Sequence, residues 1–129
     1  MKKTIIFIGF DPKNFWPYEQ VIVIESKHNI ICCNFPTIES AIAAMQGEDV
    51  LELVIAFVIL NGDDKTQTIE VIDEIKNALP ADNAETFAEL PKLIFSHENI
   101  QKELLDRKCI SMLSMESAPE ELWDVVKQL

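Results

Sequence analysis

The sequence predicts an α/β fold in which a parallel β-sheet lies between two layers of helices. Two observations predict it: five short runs are apolar throughout, and the segments between them show helical spacing. A strand that is apolar at every position is typical of a sheet covered on both faces. Strands that alternate with helices favour βαβ units with right-handed crossovers. The expected architecture is therefore a three-layer, doubly wound sandwich.

The five predicted strands carry bulky or β-branched side chains and are bounded by polar or turn residues. They are Thr4–Phe10, Ile30–Cys33, Leu53–Leu60, Lys92–Phe95 and Cys109–Leu113. Right-handed crossovers leave few ways to arrange five such strands. We expect the flavodoxin-like order 2-1-3-4-5.

The first helix has the least distinctive pattern. Within Phe15–Lys27, the run from Val21 to Ile24 would suit a strand equally well. Tyr18, Val21 and Ile22 nevertheless keep a helical spacing. The regular alternation of elements along the rest of the chain favours a helix here.

The other four helices are bounded by recognisable start and stop residues. Thr37 caps the second helix, which runs from Ile38 to Met45 before Gly47, and Pro80 ends the third helix, Thr66–Leu79. The fourth is Glu98–Lys108, and the fifth begins with a capping box at Ser117-Ala118-Pro119-Glu120. Residues 80–90 are predicted to be a long connection between the third helix and the fourth strand.

Length and charge exclude several kinds of protein. The chain has 129 residues, which fits a single domain over residues 1–129. Its 22 acidic and 11 basic side chains give a formal charge of −11, which repels nucleic acid and anionic lipid. The longest apolar stretch, Leu53–Leu60, is far shorter than the roughly 20 residues of a membrane span. Three cysteines without a paired framework favour a reduced, cytoplasmic protein.

In this topology, ligands bind beyond the carboxyl ends of the first and third strands. Asp11 follows the first strand, and Asp63 and Asp64 follow the third. We interpret Asp63 and Asp64 as solvated loop residues, with a cation site shared with Asp11 as the alternative. His97, beside Ser96, is interpreted as a cap or loop residue. Only three glycines are present, so a glycine-rich phosphate loop and a nucleotide or flavin cofactor are not expected.

The whole chain resembles the receiver domain of bacterial two-component response regulators. The match is carried by Asp11-Pro12-Lys13-Asn14 after strand one, Glu52-Leu53-Val54-Ile55-Ala56 in strand three, Ser96 at the end of strand four, and Ser117 to Leu122 at the last helix. The resemblance implies a sheet-top site with an acidic pair, a phospho-acceptor aspartate and a lysine. These positions fall on Gly9 and Phe10, on Phe57, and on Met115, respectively.

The departures from the family pattern remove the expected chemistry. Aspartyl phosphorylation needs a carboxylate nucleophile and oxygen ligands for Mg²⁺, and Gly9, Phe10 and Phe57 supply neither. Met115 cannot replace the lysine. We therefore expect the rings of Phe10 and Phe57 to fill the crevice in a degenerate pseudo-receiver that binds no metal or cofactor.

The resemblance implies a module of a two-component or phosphorelay system that contacts a protein partner and is not an enzyme, and the replaced acidic and lysine positions make us expect that it acts independently of phosphorylation. It also implies a homodimer through the face formed by helix four, strand five and helix five, where Trp123 lies off the buried stripe and is a candidate anchor. Two alternatives remain. One is a small-ligand-binding or enzymatic domain that uses Asp11, Ser96 and His97; the other is a phosphoreceiver with its acceptor moved to Asp63 or Asp64.

Overall fold

The computed structural model describes residues 2–61, 68–96, 110–114 and 118–128. The strands are β1 (Lys3–Ile8), β2 (Ile30–Phe35), β3 (Val54–Asn61), β4 (Lys92–Ser96) and β5 (Ile110–Ser114). The helices are α1 (Pro12–Glu25), α2 (Ile38–Ala44), α3 (Thr68–Ala78), α4 (Ala81–Glu89) and α5 (Pro119–Val126). In these ranges, no helix is both long enough and apolar enough to cross a bilayer.

The strands form one parallel sheet in the order β2-β1-β3-β4-β5. The predicted α/β class and the parallel order of the first four strands are therefore confirmed. In the register, Ile8 of β1 pairs with Ile59 of β3, and Asn61 at the end of β3 pairs with Ser96 at the end of β4. The backbone of β5 continues the sheet beyond β4.

Each face of the sheet has its own hydrophobic core. Side chains alternate along a strand, so neighbours in β1 such as Phe7 and Ile8 belong to opposite cores. The core under α1 and α5 contains Ile22, Leu122 and Val126 from those helices. The other core receives side chains from α2, α3 and α4 and from the residues that directly follow α2 and α3: Ala41, Met45, Val71, Ile72, Ile75, Leu79 and Phe87.

The ambiguous first helix is a helix, and it begins three residues earlier than predicted. Asp11 is its N-cap, and the Asp11 carboxylate accepts a hydrogen bond of 3.1 Å from the Lys13 N–H. Pro12 occupies the first turn, where its missing N–H removes no helical hydrogen bond. Ile22 is completely buried, whereas Ile24 is 61% exposed. The four β-branched residues therefore form part of a helix, and only the side of that helix that carries Ile22 is fully buried.

The predicted long connection over residues 80–90 is wrong, because most of it is α4. Pro80, which ends α3, is also the N-cap of α4. Ala81, Ala84 and Ala88 favour a helix, and Phe87 anchors it in the core. Phe87 is the one large apolar side chain in this helix, which is why a search for apolar periodicity did not reveal it.

The last helix also departs from its predicted start. Its N-cap is Ala118 rather than Ser117, and no side chain caps it. Pro119 in the first turn, whose φ is preset for a helix, provides the start instead. The predicted helix at Glu98–Lys108 lies outside the described residues.

Asn83 ties α4 to the end of α2. Its side chain is buried, and its Nδ2 donates to the Met45 carbonyl at 2.7 Å and to the Gly47 carbonyl at 3.0 Å. A buried amide that donates twice fixes the chain that leaves α2 against the first turn of α4. The clamp thereby positions the connection that leads into β3.

We predict that Asn83→Ala lowers the free energy of unfolding by about 1–3 kcal/mol, because both hydrogen bonds are lost at a buried position. Urea unfolding followed by circular dichroism measures the loss. Glu85→Ala, on the exposed side of the same helix, is the control and should change stability by less than about 0.5 kcal/mol. Equal losses in the two variants would contradict the role of the clamp.

Candidate functional site

The connection between β1 and α1 lies across the carboxyl edge of the sheet and is held by both neighbouring strands. The Gly9 N–H donates to the Phe35 carbonyl of β2 at 2.8 Å. The Asn34 side chain, also from β2, donates to the Phe10 carbonyl at 3.0 Å. On the other side, Gly9 approaches β3 so closely that a Cβ there would lie 2.8 Å from the Leu60 carbonyl oxygen.

Position 9 cannot hold a larger residue without rearrangement. Gly9 has a φ of +88°, in the region that residues with a Cβ avoid, and the Leu60 backbone occupies the space that a Cβ would need. The first of the two positions where the resemblance expects acids is therefore closed to any side chain. A carboxylate there would require the Gly9 backbone or the Leu60 carbonyl to move.

Phe10 lies in a cluster of aromatic rings beneath this loop. It is 2% exposed and makes edge-to-face contacts with Phe7, Phe95 and Tyr18, at ring-centre distances of 5.3, 5.6 and 5.9 Å. Tyr18 and Phe95 are themselves 5.3 Å apart. The rings come from β1, α1 and β4 and enclose the end of β1 in apolar surface. A charged group at position 10 would be desolvated without a partner.

The predicted placement of Phe57 in the same crevice is wrong. Phe57 pairs with Ile6 in β1 and with Lys92, the first residue of β4, so it lies four residues before the end of β3. Its ring is buried in the opposite core, 4.7 Å from that of Phe87. The physical reason is strand length: β3 extends to Asn61, and alternation directs residues 57 and 59 away from the face that holds Phe10.

The end of β3 is occupied by Leu60 and Asn61. Asn61 pairs with Ser96, whose backbone also pairs with Ser114 of β5, so Ser96 lies at the sheet edge where the resemblance expects it. The chain has no acidic residue between Glu52 and Asp63. The register correction therefore moves the expected acceptor position without introducing a carboxylate.

The remaining predicted polar residues do not form a described site. Asp11 is exposed, and its carboxylate caps α1. Asp63, Asp64, His97 and Met115 lie outside the residues that the structure describes. Over those that it does describe, no group of three or more histidine, cysteine, aspartate or glutamate residues is placed to hold a metal ion.

A cavity of about 310 Å³ opens beside the aromatic cluster. Most of its lining is apolar; the described lining residues are Phe10, Lys13, Asn14, Pro17, Tyr18, Leu60, Phe95 and Pro119. Burial, and then the nearby charge of Glu121, raise the pKa of Tyr18. Sequence reasoning did not assign Tyr18, Leu60 and Phe95 to a site, because each looks like an ordinary core residue in its own element.

The adjacent cysteines divide between the sheet faces, as their alternation predicts. Cys32 packs against the core under α1, and Cys33 is exposed. Burial raises the pKa of Cys32 to about 12, with smaller contributions from Glu19 and Cys33. A thiol with so high a pKa is protonated at neutral pH and is a poor nucleophile. Cys32 therefore contributes packing rather than chemistry.

Comparison with known proteins identifies the fold. No family model and no curated protein matches the sequence. Among solved structures, the chain is similar to the chemotaxis protein CheY4 of Vibrio cholerae, with a TM-score of 0.66 and 8% identity over 99% of this chain and 98% of that one. It is also similar to the receiver domain of the hybrid histidine kinase CckA, with a TM-score of 0.60 and 11% identity over 97% and 96% of the two chains.

A third similar structure is a 3-dehydroquinate dehydratase-like protein from Bifidobacterium longum, with a TM-score of 0.57 and 9% identity over 99% of this chain and 94% of that one. Together these likenesses show that the chain has a CheY-like receiver fold. Because the dehydratase-like protein shares the architecture, the fold by itself does not choose between a receiver and an enzyme.

We predict that Phe10→Ala lowers the free energy of unfolding by about 3–5 kcal/mol, because it leaves a cavity among three rings that cannot collapse together. Guanidinium unfolding measures the loss. Phe15→Ala is the matched control: Phe15 is half-buried and its ring lies 5.0 Å from that of Phe7. We expect a clearly smaller loss there, and a loss as large as that of Phe10→Ala would contradict the central place of Phe10.

Proposed function

We propose that this chain is a receiver-like signalling module that acts by contact with a partner protein and does not accept a phosphoryl group. The observation that carries the proposal is the set of residues at the carboxyl ends of β1 and β3, which are Gly9, Phe10, Leu60 and Asn61. None of them has a carboxylate. In this view the chain is a pseudo-receiver in a two-component or phosphorelay pathway.

The chemistry of phosphorylation explains why these residues matter. An aspartyl phosphate needs a carboxylate nucleophile, and Mg²⁺ needs several oxygen ligands in a near-octahedral arrangement. The close contact at Gly9 and the apolar surroundings of Phe10 oppose ion binding at the end of β1. Leu60 and Asn61 supply no carboxylate nucleophile at the end of β3. Asp11 is the next acid along the chain, and its carboxylate is engaged at the N-cap of α1.

The proposal includes a non-enzymatic role in the cytoplasm. The high pKa of Cys32 supports a packing role for that thiol rather than a nucleophilic one. The neighbouring receiver structures support a signalling role by analogy of fold.

Exposed apolar side chains support a role in protein contact. Trp16 is 60% exposed and Ile24 is 61% exposed, both on α1. Trp123 on α5 is half-buried against the core under that helix. Tryptophan is enriched among residues that anchor protein interfaces, so an exposed indole ring on an otherwise acidic protein is a candidate contact. We propose a homodimer through the face formed by α5, β5 and the helix predicted at Glu98–Lys108, and Trp123 of α5 belongs to that face.

We predict that beryllofluoride with Mg²⁺ produces no saturable change in the ¹H–¹⁵N NMR spectrum, and that acetyl phosphate adds no phosphoryl group detectable by intact mass. The physical reason is the missing nucleophile and ion ligands. A phosphorylatable receiver domain treated in parallel is the positive control. A stoichiometric adduct at any position, including the alternative acceptors Asp63 and Asp64, would refute phosphorylation independence.

We predict that Trp123→Gln shifts the protein from dimer to monomer in size-exclusion chromatography with light scattering, because it removes the apolar anchor of the proposed face. Trp16→Gln, which alters an exposed tryptophan on α1, is the matched control and should leave the dimer intact. Thermal unfolding of both variants checks that the fold persists. A monomeric wild type, or a monomer produced by the Trp16 variant instead, would refute this dimer face.

A further inference from the structure

We infer that the 310 Å³ cavity beside Phe10 is a binding site for a small aromatic carboxylate, with the ring on the aromatic cluster and the carboxylate at Lys13. Its lining includes neither Trp16 nor Trp123, the residues of the partner contacts proposed above. It also differs from the polar sheet-top site predicted around Asp11, Ser96 and His97, because its walls are apolar.

The floor of the cavity is preorganised for a planar ring. Phe10, Tyr18 and Phe95 pack against one another at ring-centre distances of 5.3 to 5.9 Å, with Phe10 and Phe95 almost completely buried. Rings that are fixed in this way lose little freedom when a further ring packs on them, and aromatic pairs prefer offset or edge-to-face contacts. Leu60 and Pro119 add apolar walls from β3 and α5.

The rim of the cavity favours a negative charge. Lys13 is the one charged side chain among the described lining residues, and Asn14 beside it can donate a hydrogen bond from its amide. The nearest acid in sequence, Asp11, directs its carboxylate to the Lys13 N–H as the helix cap. Glu121 acts on Tyr18 but is not part of the lining. A carboxylate at the rim therefore meets an ammonium and an amide.

The size and composition of the cavity fit a ligand of about one ring. Small-molecule sites are mostly apolar clefts of about 300–1,000 Å³ with a few polar groups that orient the ligand. This cavity lies at the small end of that range, at the crevice between the ends of β1 and β3 where such sheets bind ligands. A larger ligand such as a dinucleotide would exceed it.

Titration of ¹⁵N-labelled protein with phenylacetate tests the inference. We expect saturable shifts at the lining residues with a dissociation constant of about 1–10 mM, which is typical for so small a ligand. Benzylamine has the same ring with the opposite charge, and acetate has the charge without the ring. Both should bind at least about fivefold more weakly, because each lacks one of the two complementary groups.

Two variants separate the contributions of charge and shape. Lys13→Gln should weaken phenylacetate binding about threefold, as expected for a pair at an exposed rim. Leu60→Phe should abolish binding by filling the cavity, whereas Leu53→Phe, in the turn just before β3 begins, should not change it. Dispersed spectra of the variants establish that they are folded. Absence of binding by wild type, equal binding of benzylamine, or loss of binding in the Leu53 variant would overturn the inference.

Discussion

The close approach of Gly9 to the Leu60 carbonyl is the constraint on which the candidate site depends. It brings the ends of β1 and β3 together so tightly that no side chain fits between them at that point. The same loop donates a hydrogen bond to β2 and accepts one from it. The Phe10 side chain is therefore held in the core under α1 and α5 rather than over the edge of the sheet. The absence of an acid here is therefore built into the backbone, and one substitution would not restore it.

The residues around Phe10 form a packed apolar cluster rather than a polar site. A metal-binding pocket needs water and several oxygen atoms, so it costs stability unless the ion is bound. The cluster around Phe10 instead removes apolar surface from water in the folded state, with no requirement for a ligand. The cavity beside this cluster is bounded by its rings and by two prolines, Pro17 and Pro119.

The two cores of the sheet have different relations to function. The core under α1 and α5 reaches the sheet edge through Phe10 and Phe95, and its helices also carry both tryptophans. The opposite core, with Phe57 and Phe87, is closed by α4, which the Asn83 clamp fastens to the end of α2. The tryptophan candidates for recognition therefore lie on the face covered by α1 and α5.

The sequence by itself determined the parallel sheet, the order of its first four strands and the lack of an acid between Glu52 and Asp63, because continuous apolar runs and residue identity are local properties. Only the tertiary structure decided how far each residue lies along its strand. Phe57 and Leu60 occupy the same apolar run, but pairing with β1 and β4 places one in mid-sheet and the other at the edge. The cavity likewise joins residues of α1, β3, β4 and α5 that are up to about a hundred positions apart in the sequence. A hydrophobic pattern within one segment carries no information about which distant residues lie next to it in space.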